Sequence, residues 1–199
     1  MIDFSAGALE VAPLLLDAVL THESPAGPVS VRISEVEAYL GEGVDPGSHA
    51  FRGRTPRVAS MYGAPGHLYT YFTYGMHVCA NVVCSPDGEA SAVLLRGGEV
   101  IDGVELARTR RPTAKSDRDL ARGPANLVRA LGIALGDDGA PLHEAPFQLV
   151  VPETPVGARL VGRTLRTGVS GDGGRLPFDW RFHLLGDPTV SVYKRHPKA

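Results

Sequence analysis

The chain has only two cysteines among its 199 residues, Cys79 and Cys84, five positions apart. With no further ligand cluster beside them they do not frame a zinc site, and a reduced pair is the expectation. The seven histidines fall into no HExxH or other metal-ligand spacing, so no metal is expected. No Gly-rich phosphate loop follows a strand and no GxSxG elbow occurs. Nucleotide hydrolysis and serine-hydrolase chemistry therefore have no anchor. Long apolar runs are also missing: Pro13 to Leu16 is typical, far short of a membrane span. The opening Met1-Ile2-Asp3-Phe4 is acidic and lacks the basic flank and cleavage site of a secretory signal. A cytoplasmic location without a membrane partner is expected.

What is plentiful is glycine and proline, 24 and 16 residues, which predicts many turns and many short strands. The net charge of −2 argues mildly against a nucleic-acid partner, but its distribution is uneven. Residues 1–50 hold one base, Arg32, against eight acids, whereas residues 51–130 hold eleven bases against seven acids. A basic middle suits phosphates as a partner, and scatter over a solvated surface suits it equally.

Periodicity predicts a helix in the later part of Gly7–Leu20, a turn at Glu23–Pro28, and a strand over Val29–Tyr39. A Gly-rich loop over Gly41–Thr55 follows. Strands at Leu68–Thr73, Met76–Cys84 and Ala90–Leu95 come next, then helices near Gly103–Arg111 and Pro124–Leu131, the latter opening on a proline at its first position. Short strands return at Gln148–Val151, Ala158–Thr164, Arg181–Leu185 and Val190–Tyr193. The expected fold is α+β: a single domain over residues 1–199, with a largely antiparallel curved sheet flanked by helices.

Two stretches suggest chemistry. In Val29–Tyr39 the parity of Val29, Val31 and Ile33 continues through Glu35, Glu37 and Tyr39, which places two carboxylates along an apolar face. Burying a carboxylate is costly without partners. A β-bulge near Glu35 that turns both acids to solvent would explain them, as would a structural ion pair with an arginine. So would a general base facing a pocket. The second stretch is the hairpin His67–Asn81. A three-residue loop Thr73-Tyr74-Gly75 would pair Tyr71 with His77 and put Tyr69, Tyr71, His77, Cys79 and Asn81 on one face. A two-residue loop at Tyr74-Gly75 would separate Tyr71 from Asn81. Either way Tyr74 is expected at the tip, as a wedge for a duplex or folded back on the domain. His49 by itself reads as a surface histidine.

Several segments occur in one order: Glu35-Val36-Glu37-Ala38-Tyr39-Leu40-Gly41, Asp45, His49, Arg54-Thr55-Pro56-Arg57, Met61, Pro65 to Met76, Asn81 and Ala92 to Arg96. Gly123 to Ile133, Trp180-Arg181-Phe182 and Gly186 to Ser191 continue the series. As a set, covering nearly the whole chain, they resemble the alkyladenine (3-methyladenine) DNA glycosylase family. The resemblance implies a monofunctional DNA glycosylase of base excision repair. Such an enzyme flips an alkylated or deaminated purine from duplex DNA and hydrolyses its N-glycosidic bond, leaving an abasic site. It implies Glu37 as the base that activates water, with Arg96 helping to hold water and carboxylate. Tyr39, His49 and Tyr71 would wall the flipped base, His49 also donating a hydrogen bond near the sugar and phosphate. Asn81 would crowd the exocyclic amine of guanine. Tyr74 would fill the gap in the duplex from a protruding hairpin in the minor groove, and Met76 and Thr55 would contact DNA.

The implied partner is double-stranded DNA with damaged purines, acted on by a monomer, with no cofactor. Because the first lysine is Lys115, no Schiff-base nucleophile is expected near these residues. A non-catalytic binder of modified nucleic acid is the competing reading, and a pair such as Glu37 and Arg96 argues against it. A small-molecule hydrolase would leave Tyr74 unexplained. Two positions depart from the family pattern: Val58 stands where asparagine is usual, and Asn126 where lysine or arginine is common. A loop contact and a phosphate contact are thereby in doubt.

Overall fold

Strand segments of alternating side chains, separated by Gly/Pro turns, have one economical way to pair, which is antiparallel to their neighbours. The computed structural model describes residues 2–73 and 75–199. Its strands are β1 (Val19–Ser24), β2 (Gly27–Leu40), β3 (Leu68–Thr73), β4 (His77–Val83), β5 (Ser91–Asp102), β6 (Ala121–Arg122), β7 (Phe147–Val150), β8 (Val161–Thr164) and β9 (Arg181–Leu184). The helices are α1 (Ala8–Leu14), α2 (Val104–Arg110) and α3 (Pro124–Leu131), with short 3-10 turns between. One antiparallel sheet runs β3-β4-β5-β2-β1-β7, with β6 on β5 and the β8–β9 pair on β2, and it does not close into a barrel. The α+β expectation holds.

The sheet separates two apolar clusters. On one face Leu68, Val82, Val93, Leu95, Val36 and Ala38 pack with the helices, including Leu127, Val128 and Leu131 of α3. Each fully buried valine or leucine among them contributes about 1.5–3 kcal/mol. On the other face Ala50, Val58, Met61, Tyr62, Tyr69, Val83 and Ala92 form a smaller cluster, against which Tyr39 and Tyr71 pack. Val58, the departure from the family pattern, is thus a packing residue beneath the aromatic wall.

Strand β2 carries the β-bulge near Glu35 that the sequence offered as one alternative, although not the turn to solvent that went with it. Val29, Val31 and Ile33 face the helices, but beyond them the core residues are Val36 and Ala38. The β2–β5 pairing slips between Ile33 and Val36, and this bulge reverses the parity. Glu35, Glu37 and Tyr39 therefore leave the apolar core for the opposite face, and the expected apolar-face placement does not hold. They do not reach solvent either: both carboxylates are wholly buried. The bulge also changes the neighbour of β2, from β1 along Gly27–Arg32 to β9 along Glu35–Glu37. On the β5 side Gly98 lies opposite Ile33, where an added Cβ would fall 2.4 Å from the Arg32 carbonyl oxygen. Only glycine allows that approach.

Other boundaries moved. Val19–Ser24 is a strand where the end of a helix and the start of a turn were expected, and residues 158–160 form a 3-10 turn ahead of β8. Val190–Tyr193 is not a strand. Its backbone is bound by side chains instead: Ser191 N–H donates to Glu35, its carbonyl accepts from Arg181, and the Val190 carbonyl accepts from Arg122.

Candidate active site

Strand pairing brings distant residues into one row on the face away from the helices. Glu37 of β2 lies opposite Leu94 of β5, Leu94 opposite Asn81 of β4, and Asn81 opposite Tyr69 of β3. The hairpin pairs Tyr71 with Cys79 and Thr73 with His77. Pairing thus stops at Thr73 and resumes at His77, one position later than the three-residue loop anticipated, and neither expected register is correct. A shift of one position in the loop moves the pairing sum by two, so the parity is kept. Tyr69, Tyr71, His77, Cys79 and Asn81 do share a face. Gly75 adopts φ +65° there, a conformation glycine takes at little cost. Tyr74 lies outside the described residues.

Over this row opens a cavity of about 680 Å³, walled by Glu37, Tyr39, His49, Tyr71, Asn81 and Arg96 among others. All six pocket residues expected from the sequence meet in it. Met76 and Thr55 are exposed and lie outside its wall.

Glu37 is held from three sides. The Tyr39 hydroxyl donates to its Oε2 at 2.9 Å, the Thr167 backbone N–H donates to Oε1 at 2.6 Å, and Arg96 Nε stands 3.5 Å from Oε1. Burial first, and the charge of Glu37 second, raise the Tyr39 pKa well above the ordinary phenol value. Tyr39 therefore remains a donor. Glu35 is bound more completely: Arg96 Nε at 2.8 Å and Arg181 Nε at 2.6 Å share its Oε1, and Ser191 donates from both its N–H and its hydroxyl. Of the alternatives drawn from the sequence, Glu35 takes the structural ion pair. Arg96 bridges the two carboxylates and lies closer to Glu35.

Behind Tyr39 is a pair with no local trace in the sequence. The Arg166 guanidinium lies 4.4 Å from the Tyr39 ring centroid and forms a bidentate pair with Asp45 at 2.6 and 2.7 Å. Both side chains are fully buried. Arg166 also donates to the carbonyls of Ala38 and Gly173, and the next residue supplies the Thr167 N–H to Glu37.

Tyr71 stands edge-on to His49 at 4.6 Å and tilted against Tyr69 at 5.5 Å. The His49 ring is at the mouth, and the surrounding wall and then the Arg57 charge lower its pKa, which favours neutral imidazole. Arg57 donates to the Phe72 carbonyl and tethers the hairpin. The Asn81 amide donates to the Tyr69 carbonyl at 2.9 Å, which fixes the side chain's orientation in the wall. Asn126, the other departure, donates to the Arg122 carbonyl and lines the same cavity.

A carboxylate at the floor of an aromatic pocket, on a chain with a basic middle, fits a known group of proteins. The family model described as methylpurine-DNA glycosylase (MPG) matches residues 2–188. The chain belongs to this family. Its reaction class is therefore hydrolysis of an N-glycosyl bond in DNA, with damaged DNA as substrate. A relative from Leifsonia xyli is 62% identical over 98% of this chain and 92% of its own length. One from Streptomyces avermitilis is 54% identical, covering 97% and 90%. One from Cutibacterium acnes is 48% identical, covering 96% and 98%. All three carry a provisional 3-methyladenine DNA glycosylase name.

The site also holds residues that sequence reasoning passed over. Thr167, Arg166, Arg181 and Ser191 lie about 120 residues or more from their carboxylate partners, and no local spacing signals such pairs. One expectation needs correction: Lys194 lines the cavity. It arrives through the C-terminal segment, whose Lys194 carbonyl accepts from the Gly168 N–H at 2.9 Å. Distance along the chain was a poor guide to distance from the site.

Proposed function

We propose that the protein is a monofunctional glycosylase that flips an alkylated or deaminated purine out of duplex DNA. Glu37 then activates the water that cuts its N-glycosidic bond. The observation that carries this reading is Glu37 itself, a wholly buried carboxylate that lines an aromatic cavity and is oriented by Tyr39, Thr167 and Arg96. An enzyme reaches the sugar carbon only once the base has left the stack. Tyr39, His49 and Tyr71 would replace the lost stacking, by about 1–3 kcal/mol per base. As the bond to C1′ lengthens, positive charge grows on the sugar. Glu37 stabilises it and takes the proton of the attacking water, by analogy with sugar hydrolysis. Arg96, shared with Glu35, keeps the carboxylate and water in register. Asn81, its amide held by the Tyr69 carbonyl, would obstruct the exocyclic amine of normal guanine.

In this reading Thr55, Met76 and Tyr74 contact DNA, with the β3–β4 hairpin entering the minor groove and Tyr74 filling the gap. The protein would act as a monomer in the cytoplasm, without metal or cofactor.

The test is incubation with duplex oligonucleotides carrying hypoxanthine, 1,N6-ethenoadenine or 3-methyladenine, without magnesium, followed by alkaline cleavage. Strand breaks at the lesion are expected. No product from any of the three would overturn the reading.

A further inference from the structure

We propose that Arg166 is a specificity-determining residue that tunes Tyr39 from behind, favouring neutral damaged purines over cationic ones. The inference deepens the proposed function and rests on it. Arg166 is fully buried and lies outside the cavity wall, whereas Tyr39 lines the cavity. Its guanidinium, 4.4 Å from the ring centroid, therefore backs the ring face turned away from the substrate. A cation there draws π density toward itself. The front face is left a poorer partner for a second cation and a better one for a neutral, electron-rich ring.

Purines methylated on a ring nitrogen carry positive charge in DNA, whereas hypoxanthine and ethenoadenine do not, so the two lesion classes feel Arg166 oppositely. Asp45 sets the strength of the effect. Its bidentate pair with the guanidinium offsets part of the charge that the ring senses. The charge of Glu37 also reaches the guanidinium, and its other direct contacts are neutral: the carbonyls of Ala38 and Gly173, and the rings of Trp180 at 5.2 Å and Phe178 at 5.9 Å. They hold the guanidinium in place without cancelling it. The same side chain precedes Thr167, so a purely structural role would slow the cutting of every lesion alike.

The two roles separate in the ratio of single-turnover rates on 7-methylguanine and hypoxanthine, measured in matched duplexes. Arg166→Gln removes the charge, and the ratio should rise roughly three- to tenfold, the span of a modest cation–π contact. Asp45→Asn removes the counter-charge, and the ratio should fall. Arg166→Lys, which keeps a cation, should stay within about twofold of wild type. Circular dichroism identifies which variants fold, and each folded variant tests the idea by its own direction. Equal slowing of both lesions, or a shift in the same direction for Arg166→Gln and Asp45→Asn, would overturn the role of Arg166. A wild-type protein that cuts neither lesion would fault the glycosylase reading instead.

Discussion

Glu35 and Glu37 are two residues apart on one strand face, equally buried, and chemically unlike. Glu35 accepts from two arginines and twice from Ser191, which saturates it as an anchor. Glu37 lines the cavity and has fewer donors. The difference predicts a division of labour. Glu37→Gln keeps the shape and removes the base, so single-turnover excision should fall by about 10²-fold or more, while affinity for lesion-containing duplex persists in a gel-shift assay. Cutting at the wild-type rate would show that another group activates the water.

At the scale of elements, the bulge in β2 organises the site. It turns the acids away from the helices and transfers β2 from β1 to β9. That transfer delivers Arg181 of β9 to the carboxylate opposite Arg96 of β5. Glu35 therefore joins three segments: β5, β9 and the chain around Ser191. Glu35→Ala would leave the buried Arg181 guanidinium without an acid and Arg96 with Glu37 alone at 3.5 Å, and stranding a buried charge in this way costs about 3–5 kcal/mol. A urea or guanidinium unfolding curve should show a loss of that order. A shift under about 1 kcal/mol would mean that the arginines find other partners.

For the whole molecule, Arg32 ties distant parts of the chain. It pairs with Asp17 after α1, Glu99 of β5 and Asp187 near the C-terminal segment. Burial works against ionisation of Asp187, but the Thr189 hydroxyl and N–H and the Arg32 guanidinium outweigh it and lower its pKa from 3.8. A carboxylate whose pKa is depressed on folding stabilises the fold above its unfolded value, and that stability is lost as pH falls toward its folded value. Acid denaturation should accordingly begin below about pH 4. The Asp187→Asn variant should lose less stability between about pH 5 and pH 3 than wild type does. A parallel loss in both proteins would remove Asp187 from the account.

The strands β3, β4 and β9 and the helices α2 and α3 were legible in the sequence, because alternation, a helix-starting proline and turn residues are local signals. The ordered motifs likewise identified the six pocket residues. Three decisions waited for tertiary structure. Parity along Val29–Tyr39 pointed the acids into the apolar core, because a bulge depends on what the neighbouring strand can accommodate, here Gly98. The C-terminal segment reads as a strand by composition, yet its backbone is bound by Glu35, Arg181 and Arg122. The Asp45–Arg166 pair and the approach of Lys194 join positions that only the folded sheet makes neighbours. Residue type and order singled out the groups that line the cavity. Pairing between distant segments decided which carboxylate faces the cavity, because only a closed set of partners distinguishes an anchored acid from an available one.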